Sequence, residues 1–445
     1  VTKASAAEAV TGTDTAKAVT AAAMRQAVLS WVRDNLGKFP GIVSPSLNLF
    51  CGDATSDATP AGTFTRSTTG TRLGQGGLIE TVAAGSVRRE WDAAGNLLGW
   101  LIEASGTNLF TYSEQMDNAI WSKLRTTVSA DAAVAPDGLT TADKLVENSE
   151  LNTHFIYQNI PIVSGNSYTL SIFLKQSERL KFRIDGSDAY VGANNYANFD
   201  LGSATYTISG NVSASIQNTC NGLYRCTTTF TATATGNAAF SFIILSESGS
   251  YSYTGDGVSG LYIWGTQATS EPFASSYIPT TAATVARSAD VWTTAVATSW
   301  FRSTDGTMFL AGRTPAGAPA TGTVQILSQY DDGSANNRIR IVRDSSRVLY
   351  AVVTTAGTAV ATLNLGTLAD LTPFRVAFSW SSSGFSASLN GAACVTATAA
   401  TIPTGLTTHR IGSDSAGASQ WGGHVLHDAY FPCVLSDTQL QTITL

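Results

Sequence analysis

The feature that most constrains this chain is a repeated two-residue alternation of apolar and polar side chains in short runs. A strand that buries one face has this period, because successive side chains point to opposite sides of a sheet. In SYTLSIFLK, Tyr168, Leu170, Ile172 and Leu174 share a face. In AFSFIIL, Phe240, Phe242 and Ile244 do so, and in FRVAFSW, Phe374, Val376, Phe378 and Trp380. FSASLNG follows with Phe385, Ala387 and Leu389 inward and Asn390-Gly391 as a hairpin turn. Many such runs at regular spacing predict antiparallel sandwiches rather than parallel βαβ units. The fold class expected is mainly β: two tandem antiparallel β-sandwich (jelly-roll) domains behind a short N-terminal helical segment.

The helical expectation is confined to two places. Over Thr15–Leu36, Met24, Val28, Trp31 and Leu36 recur near helical spacing, Thr20 can cap the start, Gly37 the end, and Pro40 follows. Its apolar stripe has no partner within the segment, which predicts packing on copies of itself or on another protein. A final helical turn is expected at Ser436–Ile443. Boundaries near residues 45, 107 and 291 divide the chain into a helical attachment segment (1–45), a β-rich linker region (46–107) and two sandwiches (108–290 and 291–445).

Charged residues make up 13% of the 445 positions and the net charge is −6. With no basic block, nucleic acid is excluded as an expected partner. No run reaches the ~18 apolar residues of a membrane span, so no membrane insertion is expected. The first residues lack the basic start and apolar centre of a secretory signal, which predicts synthesis in a cytosol without export by that route. Five cysteines, Cys51, Cys220, Cys226, Cys394 and Cys433, make no disulfide framework. Cys220 and Cys226 are close enough to pair if their strands permit it; two separate small thiols is the preferred reading.

Motifs for chemistry are sparse. GDGVSG (Gly255, Gly257, Gly260) matches a dinucleotide pattern, but an alternating strand follows it where a helix is needed, so a glycine-rich turn is expected. No E-x-D-x-x-E or E-x-D-x-E run of carboxylates occurs, and His424 and His427 in HVLHD are expected on opposite faces. No catalytic residue is assigned and no enzyme activity is expected. Aromatic rings are the more informative class, because sugars stack their C–H faces on them. Trp121, Tyr157, Tyr190, Tyr196, Tyr253, Trp264 and Trp421 qualify. Tyr190 and Tyr196 fall in DAYVGANNYANFD, read as a loop, and Trp421 in the glycine-rich SAGASQWGGH. With Asn194 and Asn195 these form the candidate glycan-binding set. Asn194, Asn195, Asn198 and Asp200 could also offer oxygens to Ca²⁺, but their spacing matches no defined calcium loop, and no cofactor is required.

Three stretches resemble known families. ASAAEAVTGTDTAKAVTAAAMRQAV (residues 4–28) resembles a motif near the attachment regions of phage tail fibres, with Glu8, Ala9, Gly12, Thr13, Asp14, Lys17, Ala18, Val19 and Thr20 fitting and Ala21 standing where proline is usual. Residues 62–290 resemble phage structural proteins with a carbohydrate-binding-module-like jelly roll, through GTFTRSTTGTR, GWLIEASGTNLFTYSEQMDNAIWSK, APDGLTTADKLVE, NGLYRCTTTFTA and GDGVSGLYIWGTQ…SSYIPTT. Residues 297–445 resemble concanavalin-like or laminin-G-like sandwiches, with Ile411, Gly412, Gly423, Val425, Leu435, Ser436, Asp437 and Leu440 fitting. These resemblances imply a virion protein, a tail fibre or receptor-binding protein that recognises host cell-surface polysaccharide. They also imply a homotrimer joined to other virion proteins through residues 1–45. A head fibre, capsid decoration or baseplate spacer is the alternative, and a capsule depolymerase a more distant one.

Overall fold

A computed structural model describes residues 44–53, 61–398 and 401–445. The helix expected over Thr15–Leu36 lies outside the described residues. Within them the chain is built of short antiparallel strands, and four larger sheets make two sandwiches.

In the first sandwich, sheet I runs in the order Val212–Asn218, Tyr224–Thr231, Ser167–Gln176, Gly260–Thr269, Thr140–Glu147, Thr126–Val134. Sheet II runs Thr205–Ser209, Tyr196–Asp200, Lys181–Gly186, Gly236–Leu245, His154–Ile162, Ser122–Leu124. Leu170, Ile172 and Leu174 from sheet I meet Phe240, Phe242, Ile244 and Phe182 from sheet II, as the alternation requires. Cys226 is buried in this core while Cys220 sits in a turn with its Sγ 3.4 Å from the Pro136 carbonyl oxygen, so the two do not pair.

The second sandwich pairs an eight-stranded sheet III with a seven-stranded sheet IV. Sheet III runs Val395–Thr398, Gly384–Leu389, Pro373–Ser381, Gly306–Arg313, Gly423–Phe431, Leu97–Ile102, Arg88–Trp91, with Leu47–Phe50 also lying along Gly423–Phe431. Sheet IV runs Thr63–Thr65, Val291–Ala295, Thr408–Ile411, Val324–Asp331, Arg338–Asp344, Val348–Thr355, Thr358–Thr367. Phe374, Val376, Phe378 and Trp380 bury the face expected of them, beside Trp100 and Trp292. Asn390 and Gly391 both take positive φ (49° and 73°), the turn geometry that Asn-Gly favours. The final helix, Asp437–Thr444, is fixed by a capping box between Ser436 and Gln439, and packs Leu440 and Ile443 on Phe309 and Phe431 of the outer face of sheet III.

Residues 46–107 do not act as a linker. Their strands Leu47–Phe50, Arg88–Trp91 and Leu97–Ile102 join sheet III, and Thr63–Thr65 joins sheet IV. The first sandwich is therefore inserted between two parts of the second. At the neck of the insertion, Gly106–Asn108 pairs with Val285–Arg287. The boundaries near 107 and 291 mark the entry and exit of this insertion rather than joints between successive beads.

His424 and His427 differ from expectation. The ladder to Gly306–Arg313 shifts register between Ala311 and Gly312, leaving Leu426 as an extra residue. That bulge cancels the odd spacing. His427 meets Phe309 of the outer cluster, and His424 stands opposite Leu101, across from the core residues Trp100 and Ile102, so both histidines face outward.

Candidate functional site

The outer face of sheet II collects aromatic, amide and charged side chains. Its inward residues are Ile156, Ile184, Ala197 and Phe242; the residues between them point away from the core. Register places Ser209, Tyr196, Asp185, Ser241, Tyr157 and Ser122 in one row across the strands. Tyr196 and Tyr157 are three strands apart in that row, about 14 Å at the usual strand spacing. Both rings are half-buried. Phe155 joins Tyr157 at 6.0 Å between ring centroids, and the exposed Tyr251 overhangs from the loop after Gly236–Leu245.

Arg183 organises this face. Its guanidinium carbon lies 3.6 Å from the Tyr196 ring centroid and 5.2 Å from that of Tyr251. Its Nε donates to Asn198 Oδ1 at 2.7 Å, and Asp185 lies 3.8 Å away. Cation–π contact and the amide bond together hold Tyr196 in one orientation. Burial pushes the Asp185 carboxyl up to about 6, against the lowering influence of Arg183. The face offers rings for stacking and donors and acceptors for hydroxyl groups, the set a neutral or weakly charged sugar needs.

The candidates read from the sequence are dispersed. Tyr196 is on this face. DAYVGANNYANFD is not one loop: it holds a short helix, Asp188–Val191, and the strand Tyr196–Asp200. Tyr190, in that helix, lies against Gly236, where an added Cβ would stand 2.4 Å from the ring, and packs on the core of the first sandwich. Asn194 fills a left-handed turn position (φ 59°), and Asn195 bonds the Val191 carbonyl and the Asn211 N–H at 2.5 Å each. These two shape the turn. Trp421 is fully buried: its ring meets Phe374 edge-on at 5.7 Å and its indole N–H donates to the Arg313 carbonyl. It is a core residue, because the glycines beside it let the chain fold the ring inward. Trp121 and Trp264 are also buried, and the Tyr253 hydroxyl donates to Glu147 at 2.6 Å. For Ca²⁺, the oxygens do not converge: Asn198 serves Arg183, and Asp200 accepts from the Gly202 and Ser203 N–H groups. Among the described residues no group of three or more His, Cys, Asp or Glu is placed to hold a metal.

Tyr157, Phe155, Tyr251, Arg183 and Asp185 complete the face. Tyr157 was among the aromatic residues considered, but only register shows that it shares a row with Tyr196.

No family model matches the chain, and no curated protein does. Among solved structures it is similar to the CBM40 module of Ruminococcus gnavus IT-sialidase, 17% identical over 32% of this chain and 84% of that one, with a TM-score of 0.28. It is similar to a SAP-like pentraxin of Limulus polyphemus, 14% identical over 31% of this chain and 69% of that one, TM-score 0.24. It is also similar to domains LG4-5 of the mouse laminin alpha1 chain, 12% identical over 64% of this chain and 85% of that one, TM-score 0.21.

Proposed function

We propose that the protein is a non-catalytic glycan-binding protein and that the outer face of sheet II is its binding platform. The observation that carries this is the row in which Tyr196 and Tyr157 flank Asp185 and Ser241, with Arg183 fixing the Tyr196 ring. Rings held in place lose little entropy on binding, and hydrogen bonds between them select hydroxyl patterns. Titration calorimetry with host surface polysaccharide tests it. Tyr157→Ala and Tyr196→Ala should each weaken binding about 10-fold, at about 1–1.5 kcal/mol for a lost ring contact, and leave the fold intact. Unchanged affinity in both variants sinks the platform.

The finer reading is a phage tail fibre or receptor-binding protein. It rests on the resemblance of residues 4–28 and 62–290 to phage proteins, with the concanavalin-like or laminin-G-like resemblance of residues 297–445 beside it. In that role residues 1–45 attach the protein to the virion and bring three copies together, so that weak single contacts gain avidity. Purified protein should then block phage adsorption to host cells, and a monomer mass by light scattering would rule out the trimer. The absence of catalysis is likewise part of the proposal. A reducing-sugar assay on host capsule that showed turnover would overturn it.

A further inference from the structure

A second place in the molecule has the composition of a binding site. Between the two sandwiches lies a cleft of about 540 Å³. One wall is the outer face of sheet I, where Gln217, Arg225 and Phe173 stand in one row. The other comes from the second sandwich and includes Trp91, Arg313 and the Glu90–His424 pair.

The charges of this cleft are unevenly satisfied. Glu90 bonds His424 Nε2 at 2.7 Å and the Leu73 N–H at 3.0 Å. Asp92 holds its own turn through the N–H groups of Ala94 and Asn96. Glu103 is gripped by Arg88 at 2.7 Å and Arg287 at 2.9 Å. Every carboxylate that lines the cleft is engaged. Two guanidiniums are not so matched. Arg225 donates to Ser171 Oγ at 3.0 Å and lies 5.4 Å from the Phe173 ring centroid, its buried Nε has no hydrogen-bond partner, and among the described residues no carboxylate contacts it. Arg313 donates to the Leu371 carbonyl at 2.8 Å and likewise has no carboxylate contact among the described residues.

Glu103 and Glu90 act on Arg225, and Glu90 and Asp92 on Arg313, only from beyond contact distance. A guanidinium withdrawn from water without a directly bonded carboxylate is poorly compensated, and its planar fork fits one through two parallel hydrogen bonds. The Gln217 amide stands in the same cleft, and the buried Trp91 and Phe173 rings back its walls. We propose that this cleft is a second, separate binding site that takes a carboxylate-bearing sugar, a uronic acid unit, with Arg225 and Arg313 as its anion contacts. The carboxylate half of the assignment stands on the arginines; the sugar half rests on the glycan-binding reading above.

The test is calorimetry with two ligands, a tetra-uronate and the same tetrasaccharide after its carboxyls are reduced to alcohols. The wild-type chain should prefer the tetra-uronate by about 10-fold, as expected for one charge-assisted contact. Arg225→Gln and Arg313→Gln should each abolish the preference, whereas Tyr157→Ala and Tyr196→Ala should keep it. Equal affinity for the two ligands, or a preference that survives both arginine variants, overturns the cleft. If neutral polysaccharide binds through the tyrosines while the two tetrasaccharides are not distinguished, the cleft fails and the sheet face stands. If tetra-uronate binds in an Arg225-dependent way and neutral glycans do not bind at all, the sheet face fails and the cleft stands.

Discussion

Trp421 and Tyr196 are alike as letters: each is an aromatic residue in a polar stretch rich in glycine or asparagine. Their surroundings in space separate them. Trp421 faces Phe374 inside the second sandwich, while Tyr196 stands on an open sheet face under Arg183. Which side of a strand a ring takes depends on the register of the whole sheet, and local composition does not carry that. Trp421→Ala should therefore cost about 3–5 kcal/mol of stability through the cavity it leaves. Urea denaturation would measure it, and a loss below about 1 kcal/mol would contradict the burial. Arg183 is a similar case. Nothing in its sequence neighbourhood distinguishes it from any arginine on a strand, and only the cross-strand pairings with Asn198 and Tyr196 give it a role.

Elements were more legible than residues, because a two-residue period survives any detail of packing. The inward faces of Ser167–Gln176, Gly236–Leu245 and Pro373–Ser381 are those the alternation assigns. The final helix was legible too, since Ser436 followed by Gln439 is a cap that acts through neighbouring backbone alone. Ser436→Ala should remove the bond from the Gln439 N–H and cost about 1 kcal/mol, seen as a lower denaturation midpoint with unchanged slope. The bulge at Leu426 was illegible, because a period argument presumes an unbroken ladder; one extra residue returned two histidines to the same face. The short helix Asp188–Val191 was hidden for a related reason: four residues are too few to show a helical period.

At the scale of the whole molecule, the nesting of one sandwich within the other could not be read from the order of runs along the chain. Strands that are neighbours in a sheet need not be neighbours in sequence, and the composition of 46–107 hardly differs from that of its surroundings. What joins the two sandwiches is a buried charge network. Asp290 accepts from Arg66 at 3.0 Å and also from Arg88, which pairs with Glu103 in turn, and Ser276 bonds Glu103 through both its N–H and its hydroxyl at 2.7 Å. Burial works to raise the Glu103 carboxyl, but Arg287, Arg88 and Ser276 outweigh it and hold it at about 2, below the usual 4.5. A depressed carboxylate stabilises the fold fully above its unfolded value and loses that contribution as pH falls from about 4.5 towards about 2, here on the order of 3 kcal/mol. Glu271 beside the network has the opposite sign: burial raises it to about 7, so its share is lost as pH rises from 4.5. Urea titrations at stepped pH should show the acid limb flatten in Glu103→Gln and remain in Glu271→Gln. An acid limb unchanged in Glu103→Gln would remove Glu103 from that role.

The nesting also sets an order of events for a chain emerging from a ribosome. Asn48 waits for His427, 379 positions later, before its strand has a neighbour. The strands of the inserted sandwich's two sheets all lie between Ser122 and Thr269, so those sheets can close while synthesis continues. Until the later strands arrive, the early ones hold apolar residues such as Leu49, Trp100 and Ile102 with nothing to cover them. That interval, rather than any weakness of the finished molecule, is where this protein is most exposed to aggregation and to helper proteins that shield nascent chains.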